Sequence, residues 1–115
     1  MWWLLSCQSV SPPASCDALC VAAAEHQRAC LVEWGVEWDA AGYEDEADFL
    51  LSCQTWAWEM SLLEADAVAN GVLAQPGTLA ETCTDWTTAY AETDMTCASE
   101  LPVDWHTPPW LADTP

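Results

Sequence analysis

Apolar positions in this chain recur at helical spacing in three stretches, and nowhere do they alternate as strand residues would. The first stretch, Ala18 to Trp34, is alanine-rich and free of Pro and Gly, which favours helix. Ser15 is the expected N-cap, Asp17 lies in the first turn, and Gly35 supplies the stop. At 100° per residue, Cys16, Cys20, Ala23, Gln27, Cys30 and Trp34 share one stripe. The second stretch follows the acidic cluster Glu44-Asp45-Glu46, whose charge suits a helix N-terminus, and runs to Ala69 before Asn70-Gly71. Phe49, Cys53, Trp56, Met60, Leu63 and Ala67 alternate at spacings of four and three, the seam of a core-facing helix. Leu51, Trp58, Leu62 and Ala69 flank that seam, so this helix is expected to be central and covered on two sides.

After the turn Gln75-Pro76-Gly77, Thr78-Leu79-Ala80-Glu81 has the form of a capping box. The helix it opens carries Leu79, Cys83, Trp86 and Tyr90 on one face and is expected to end near Thr93. From Asp94 onward, four prolines among Trp105, His106 and Trp110 predict an irregular tail whose tryptophans pack over the bundle. The expected fold is therefore all-α: a small disulfide-stapled three-helix bundle with an irregular, Trp-containing C-terminal tail. Residues 1–15 are read as a signal remnant and flexible linker, and 16–115 as one helical domain.

The cysteines set the compartment. Seven in 115 residues is a frequency typical of small exported domains, where thiols are oxidised. Six can pair and one is left over. Cys16 and Cys20 sit one turn apart, with Cβ directions poorly set for bridging each other. Antiparallel packing of the first two helices favours Cys30–Cys53. Cys16 and Cys20 then share Cys83 and Cys97; parallel order suggests Cys16–Cys83 and Cys20–Cys97, with the crossed pairing left open.

The remaining cysteine, Cys7, ends the run Met1-Trp2-Trp3-Leu4-Leu5-Ser6-Cys7. Leu4-Leu5-Ser6-Cys7 resembles the end of a bacterial lipoprotein signal, which implies Cys7 as a lipidation site. Leu5 is bulkier than that signal's usual small residue, no basic segment precedes the run, and the run is short, so the expectation includes a signal beginning upstream. With the six downstream cysteines and the composition, the chain resembles acidic, cysteine-containing surface lipoproteins and secreted proteins of GC-rich Gram-negative bacteria. That resemblance implies an extracellular or cell-envelope location and carries no activity. Any membrane association is then expected only through a lipid on Cys7, because no stretch reaches the length of a spanning helix.

Charge changes the picture chiefly by exclusion. Nineteen Asp and Glu face one Arg and no Lys, for a formal net charge of −18. Phosphate contacts need cationic side chains, so a nucleic-acid partner is not expected. The acidity fits either a salt-tolerant surface or a surface for a basic partner. Cys16, Cys20 and His26 lack the tight knuckle spacing of structural zinc, and Asp39, Glu44, Asp45, Glu46 and Asp48 lack the alternation and central Gly of a calcium loop. No metal and no cofactor are expected. His26 and His106 accompany no recognisable nucleophile motif, so catalytic residues are not assigned. Of nine tryptophans, Trp34, Trp56 and Trp86 are read as core, while Trp38, Trp58, Trp105 and Trp110 are candidate contacts for a protein or carbohydrate partner. The leading expectation is a non-enzymatic binding or structural module of the cell envelope or exterior. The alternatives are an inhibitor or immunity-like partner of a basic target and, last, a small secreted enzyme.

Overall fold

A computed structural model describes residues 11–92, 97 and 105–111. Three helices, α1 (Ala14–Trp34), α2 (Glu46–Ala69) and α3 (Thr78–Glu92), are accompanied by short 3₁₀ turns at Trp38–Ala41 and Pro109–Leu111. Among the described residues there is no strand. The all-α, disulfide-stapled three-helix architecture is as the apolar pattern predicts, and an aromatic-containing C-terminal region follows α3.

Local chemistry explains most helix ends. α1 stops at Gly35, whose left-handed φ of 70° lets Val36 N–H donate back to the Leu31 carbonyl at 3.0 Å. α2 stops the same way: Gly71, at φ 77°, turns the chain so that Val72 N–H reaches Ala67 O at 2.8 Å. Both are six-to-one closures that satisfy carbonyls a helix end leaves open. Asp45 caps α2 by accepting from Asp48 N–H at 2.8 Å, and Asp48 returns the favour by accepting from Glu44 N–H at 2.9 Å.

Two cap expectations are corrected. Pro13, not Ser15, occupies the N-cap of α1, and the Ser15 hydroxyl instead donates to Ala80 O on α3 at 2.8 Å. Proline needs no N–H at a helix start, so the helix begins two residues earlier than a Ser15 cap requires. At α3, the first-turn donor Leu79 N–H is taken by the Glu64 carboxylate of α2, so the acceptor comes from another helix.

The disulfides pair Cys16–Cys83, Cys20–Cys53 and Cys30–Cys97. The first matches the parallel order expected for α1 and α3. Cys30–Cys53 and Cys20–Cys97 are not formed, and helix register shows why. Glu46, at the start of α2, lies beside Arg28, well before the end of α1. The 35–45 link therefore doubles back by ~9 Å along α1 at 1.5 Å per residue. Seven residues further along α2 and eight back along α1, Cys53 meets Cys20. Cys30 lies level with the link, out of reach of Cys53. α1 and α3 run parallel, which sets Cys16 against Cys83, and Cys97, beyond the end of α3, pairs with Cys30 further along α1.

The centre of the bundle is α1, not α2. It packs against both other helices, while α2 and α3 touch little. Leu51 (62% exposed), Trp58 (48%) and Leu62 lie on an outer face of α2, which therefore has one covered side rather than two. Leu63 is 45% exposed despite its place in the expected seam, and the buried line of α2 runs instead through Cys53, Ala57, Met60, Ser61, Glu64 and Ala67. Trp34, 54% exposed, is not a core residue either; the doubled-back link leaves the end of α1 without a helix beside it.

The interior is thin. Leu19, Leu79, Cys16, Cys20, Cys30 and Cys83 are the largest fully buried side chains among the described residues. Two buried leucines contribute ~2 kcal/mol each. Closing loops of 33 and 67 residues contributes about 4 kcal/mol per bridge by the chain-entropy argument. Sulfur therefore does much of the work a larger apolar core would do.

Candidate functional site

The aromatic residues gather where the link, α2 and the C-terminal region meet. The link turns at Gly42, φ 93°, and sets Tyr43 just ahead of the α2 cap. Tyr43 packs edge-on to Phe49 in the first turn of α2, with ring centroids 5.0 Å apart at 70°. Trp38, from the 3₁₀ turn of the link, lies 5.7 Å from Phe49 and 6.4 Å from Tyr43. Two helical turns along α2 from Phe49, Trp56 forms a second edge-to-face pair with Trp105, at 4.8 Å and 85°. Trp56 Nε1–H donates to the Trp105 carbonyl at 3.1 Å, which fixes the C-terminal region onto α2. Trp86 of α3 backs Trp56 at 6.2 Å.

Between these pairs is an open groove of about 270 Å³, lined by Tyr43, Phe49, Ser52, Trp56, Trp105 and His106 and floored by Cys53 of the Cys20–Cys53 bridge. A second, adjoining cavity of about 210 Å³ shares Tyr43, Phe49 and Trp105 and is closed by His26, Gln27 and Tyr90. The shared rings form a partition, one side toward α2 and the other toward α1 and α3. Burial holds the Tyr90 phenol above its ordinary pKa by desolvating the phenolate, so this wall stays neutral through the physiological range. Among the described residues the groove wall contains no carboxylate, although Tyr43 and Phe49 are sequence neighbours of Glu44 and Asp48.

The four tryptophans singled out as contacts separate in space. Trp105 lines the groove, and Trp38 extends the same aromatic group through Phe49. Trp58 stands on the outer face of α2, apart from the groove. Trp110 is half-buried in the 3₁₀ turn that packs against α3. Cys7 lies outside the described residues. Tyr43, Phe49, Ser52 and Trp56 belong to the groove although Phe49 and Trp56 read as core from their spacing. The signal for Tyr43 was an aromatic residue directly after Gly42, in a link otherwise rich in small and acidic side chains.

His26 Nε2 lies 3.7 Å from the Cys30 sulfur, and its ring is 5.5 Å from Tyr90. His26 and His106 line different cavities. Among the described residues no group of three or more His, Cys, Asp or Glu is placed to hold a metal ion. No described helix is long and apolar enough to cross a membrane.

Fold and groove together define a small all-α module stapled by three disulfides, the chemistry of an oxidising compartment. No family model, curated protein or solved structure matches this chain.

Proposed function

We propose that the protein is a non-enzymatic binding module of the cell exterior or envelope, and that it binds through the aromatic groove. One observation carries this reading: the two edge-to-face pairs, Tyr43/Phe49 and Trp56/Trp105, line an open groove instead of closing over each other. Aromatic rings are rigid, apolar and large, so they give contact area at low entropic cost to a partner. The bridge beneath them and the Trp56–Trp105 hydrogen bond hold the groove open without a large core. Cys7 is the lipid attachment in this reading, leaving the helical domain to face outward.

The test is nuclear magnetic resonance shift mapping of the oxidised protein against soluble oligosaccharides and short peptides. Shifts should cluster on Tyr43, Phe49, Ser52, Trp56, Trp105 and His106. Binding that maps to Trp58 or Trp110 instead would overturn the groove as the site. Intact mass measurement of protein made in its native context should show a diacylglyceryl adduct at Cys7 with six fewer hydrogens from the three bridges. An unmodified Cys7 thiol would remove the anchoring.

A second reading, an inhibitor of a basic protein, is favoured by the −18 charge. Such a complex would be steered electrostatically and would weaken sharply by roughly 0.5 M salt.

A further inference from the structure

An exposed aromatic face is a weak base for cations, because the ring quadrupole places negative charge above and below its plane. A chain's own Lys and Arg side chains are the usual competitors for such faces. This chain has no Lys and one Arg. That Arg28 points its guanidinium at Glu46, at 3.1 and 3.2 Å from the two carboxylate oxygens, and it lines a different cavity. No lysine or arginine side chain of the chain is therefore available to the groove.

The two ring pairs are close to perpendicular, at 70° and 85°. Perpendicular rings surround a guest from more than one direction, which suits a compact round cation better than a flat one. Among the described residues the walls hold no carboxylate, and what they offer a guest is aromatic rings and not an ion-pair partner. A primary ammonium would have to give up strong hydration hydrogen bonds there, with few acceptors to replace them. An alkylated ammonium has no such bonds to lose. Meanwhile the net charge of −18, with Glu44, Asp45, Glu46 and Asp48 flanking Tyr43 and Phe49 along the chain, concentrates cations near the surface.

We propose that the groove is a binding site for an alkylated ammonium group, of the kind borne by choline. This inference rests on the groove being the binding site and adds the chemistry of its ligand. The occupant is a small quaternary ammonium compound.

The experiment titrates the full-length oxidised protein with choline and with its uncharged carbon isostere, 3,3-dimethylbutan-1-ol, following tryptophan fluorescence and resonance shifts. The two guests match in shape and differ in charge. Choline should bind about tenfold more tightly, the size of a cation–π gain at a partly desolvated site. Its affinity should fall as salt rises, while that of the isostere should not. Trp105→Ala and Tyr43→Ala should each weaken choline binding, and the wild-type comparison stands even if either variant misfolds. Equal or tighter binding of the isostere, with shifts still in the groove, would overturn the ammonium assignment and leave the groove reading intact. Absence of choline binding at 50-fold excess over about 1 mM would overturn the assignment as well, a value already weak for such sites. Choline shifts confined to residues outside the groove would overturn both readings.

Discussion

The carboxylate of Glu64, in the last quarter of α2, accepts a 2.8 Å hydrogen bond from the backbone N–H of Leu79 at the start of α3. Both residues are buried, Leu79 completely. One helix thus caps another, with a negative charge set against the positive end of the α3 dipole. Glu64→Ala removes the carboxylate partner of that N–H and leaves a small void. The expected loss is about 1–3 kcal/mol in a urea titration. Glu64→Gln keeps an acceptor and loses the charge, so its loss should be smaller. If the two variants unfold at the same urea concentration, charge contributes nothing to this cap.

Trp56 tethers the C-terminal region through its indole N–H. Trp56→Phe keeps most of the ring and removes the 3.1 Å bond to the Trp105 carbonyl. The expected cost is about 1 kcal/mol, together with loss of the groove's fixed width. Hydrogen exchange is the sharper check: amides of 105–111 should lose protection while those of α1 keep it.

A chain with a net charge of −18 repels itself, and salt should relieve that repulsion. Raising sodium chloride from 0.05 to 1 M is expected to move the urea midpoint upward. The Arg28–Glu46 pair works in the opposite direction, but it is exposed, and Arg28→Ala should cost less than about 1 kcal/mol. A midpoint that falls with salt would mean that specific ion pairs outweigh the general repulsion.

Tyr90 supplies a pH signature. Its folded-state pKa is raised by burial above the ordinary value of about 10. The unfolded chain therefore loses this proton first as pH rises, and the folded state binds more protons in that window. Stability owed to the neutral phenol is complete below about pH 10 and is lost as pH climbs through the folded-state value. Tyr90→Phe should flatten the decline of stability above pH 10, measured in rapid urea titrations that avoid alkaline damage to the bridges. An unchanged decline would place the alkaline sensitivity elsewhere.

Helix number, helix type and most helix ends were legible because they depend on neighbours in sequence: Gly35 and Gly71 as stops, Asp45 as a cap, Leu79 and Cys83 as one buried face. Pairings across the bundle were less so. Cys30–Cys53 fits a link that simply connects two helix ends, but the 35–45 segment folds back beside α1 and shifts the register onto Cys20. Nothing in the spacing of apolar residues encodes that retreat. The same shift moves the hub from α2 to α1, so Leu51, Trp58 and Leu62 lose the second neighbour their pattern implied. Of the groove, Trp105 was visible as a tryptophan without a core position. Phe49 and Trp56 were hidden by a heptad-like spacing that a packed helix and a groove wall share, since both need one continuous apolar stripe.

Every bridge has one of its cysteines on α1 and the other further along the chain. Each peptide bond between Cys20 and Cys83 consequently lies inside at least two of the closed loops. A protease that cuts there once adds a water and releases no fragment. Enzymes that require Lys or Arg find one target in the whole chain, Arg28, and it sits in the middle of a helix. To a protease, the core of this molecule presents itself as linked rings and not as a thread with two ends.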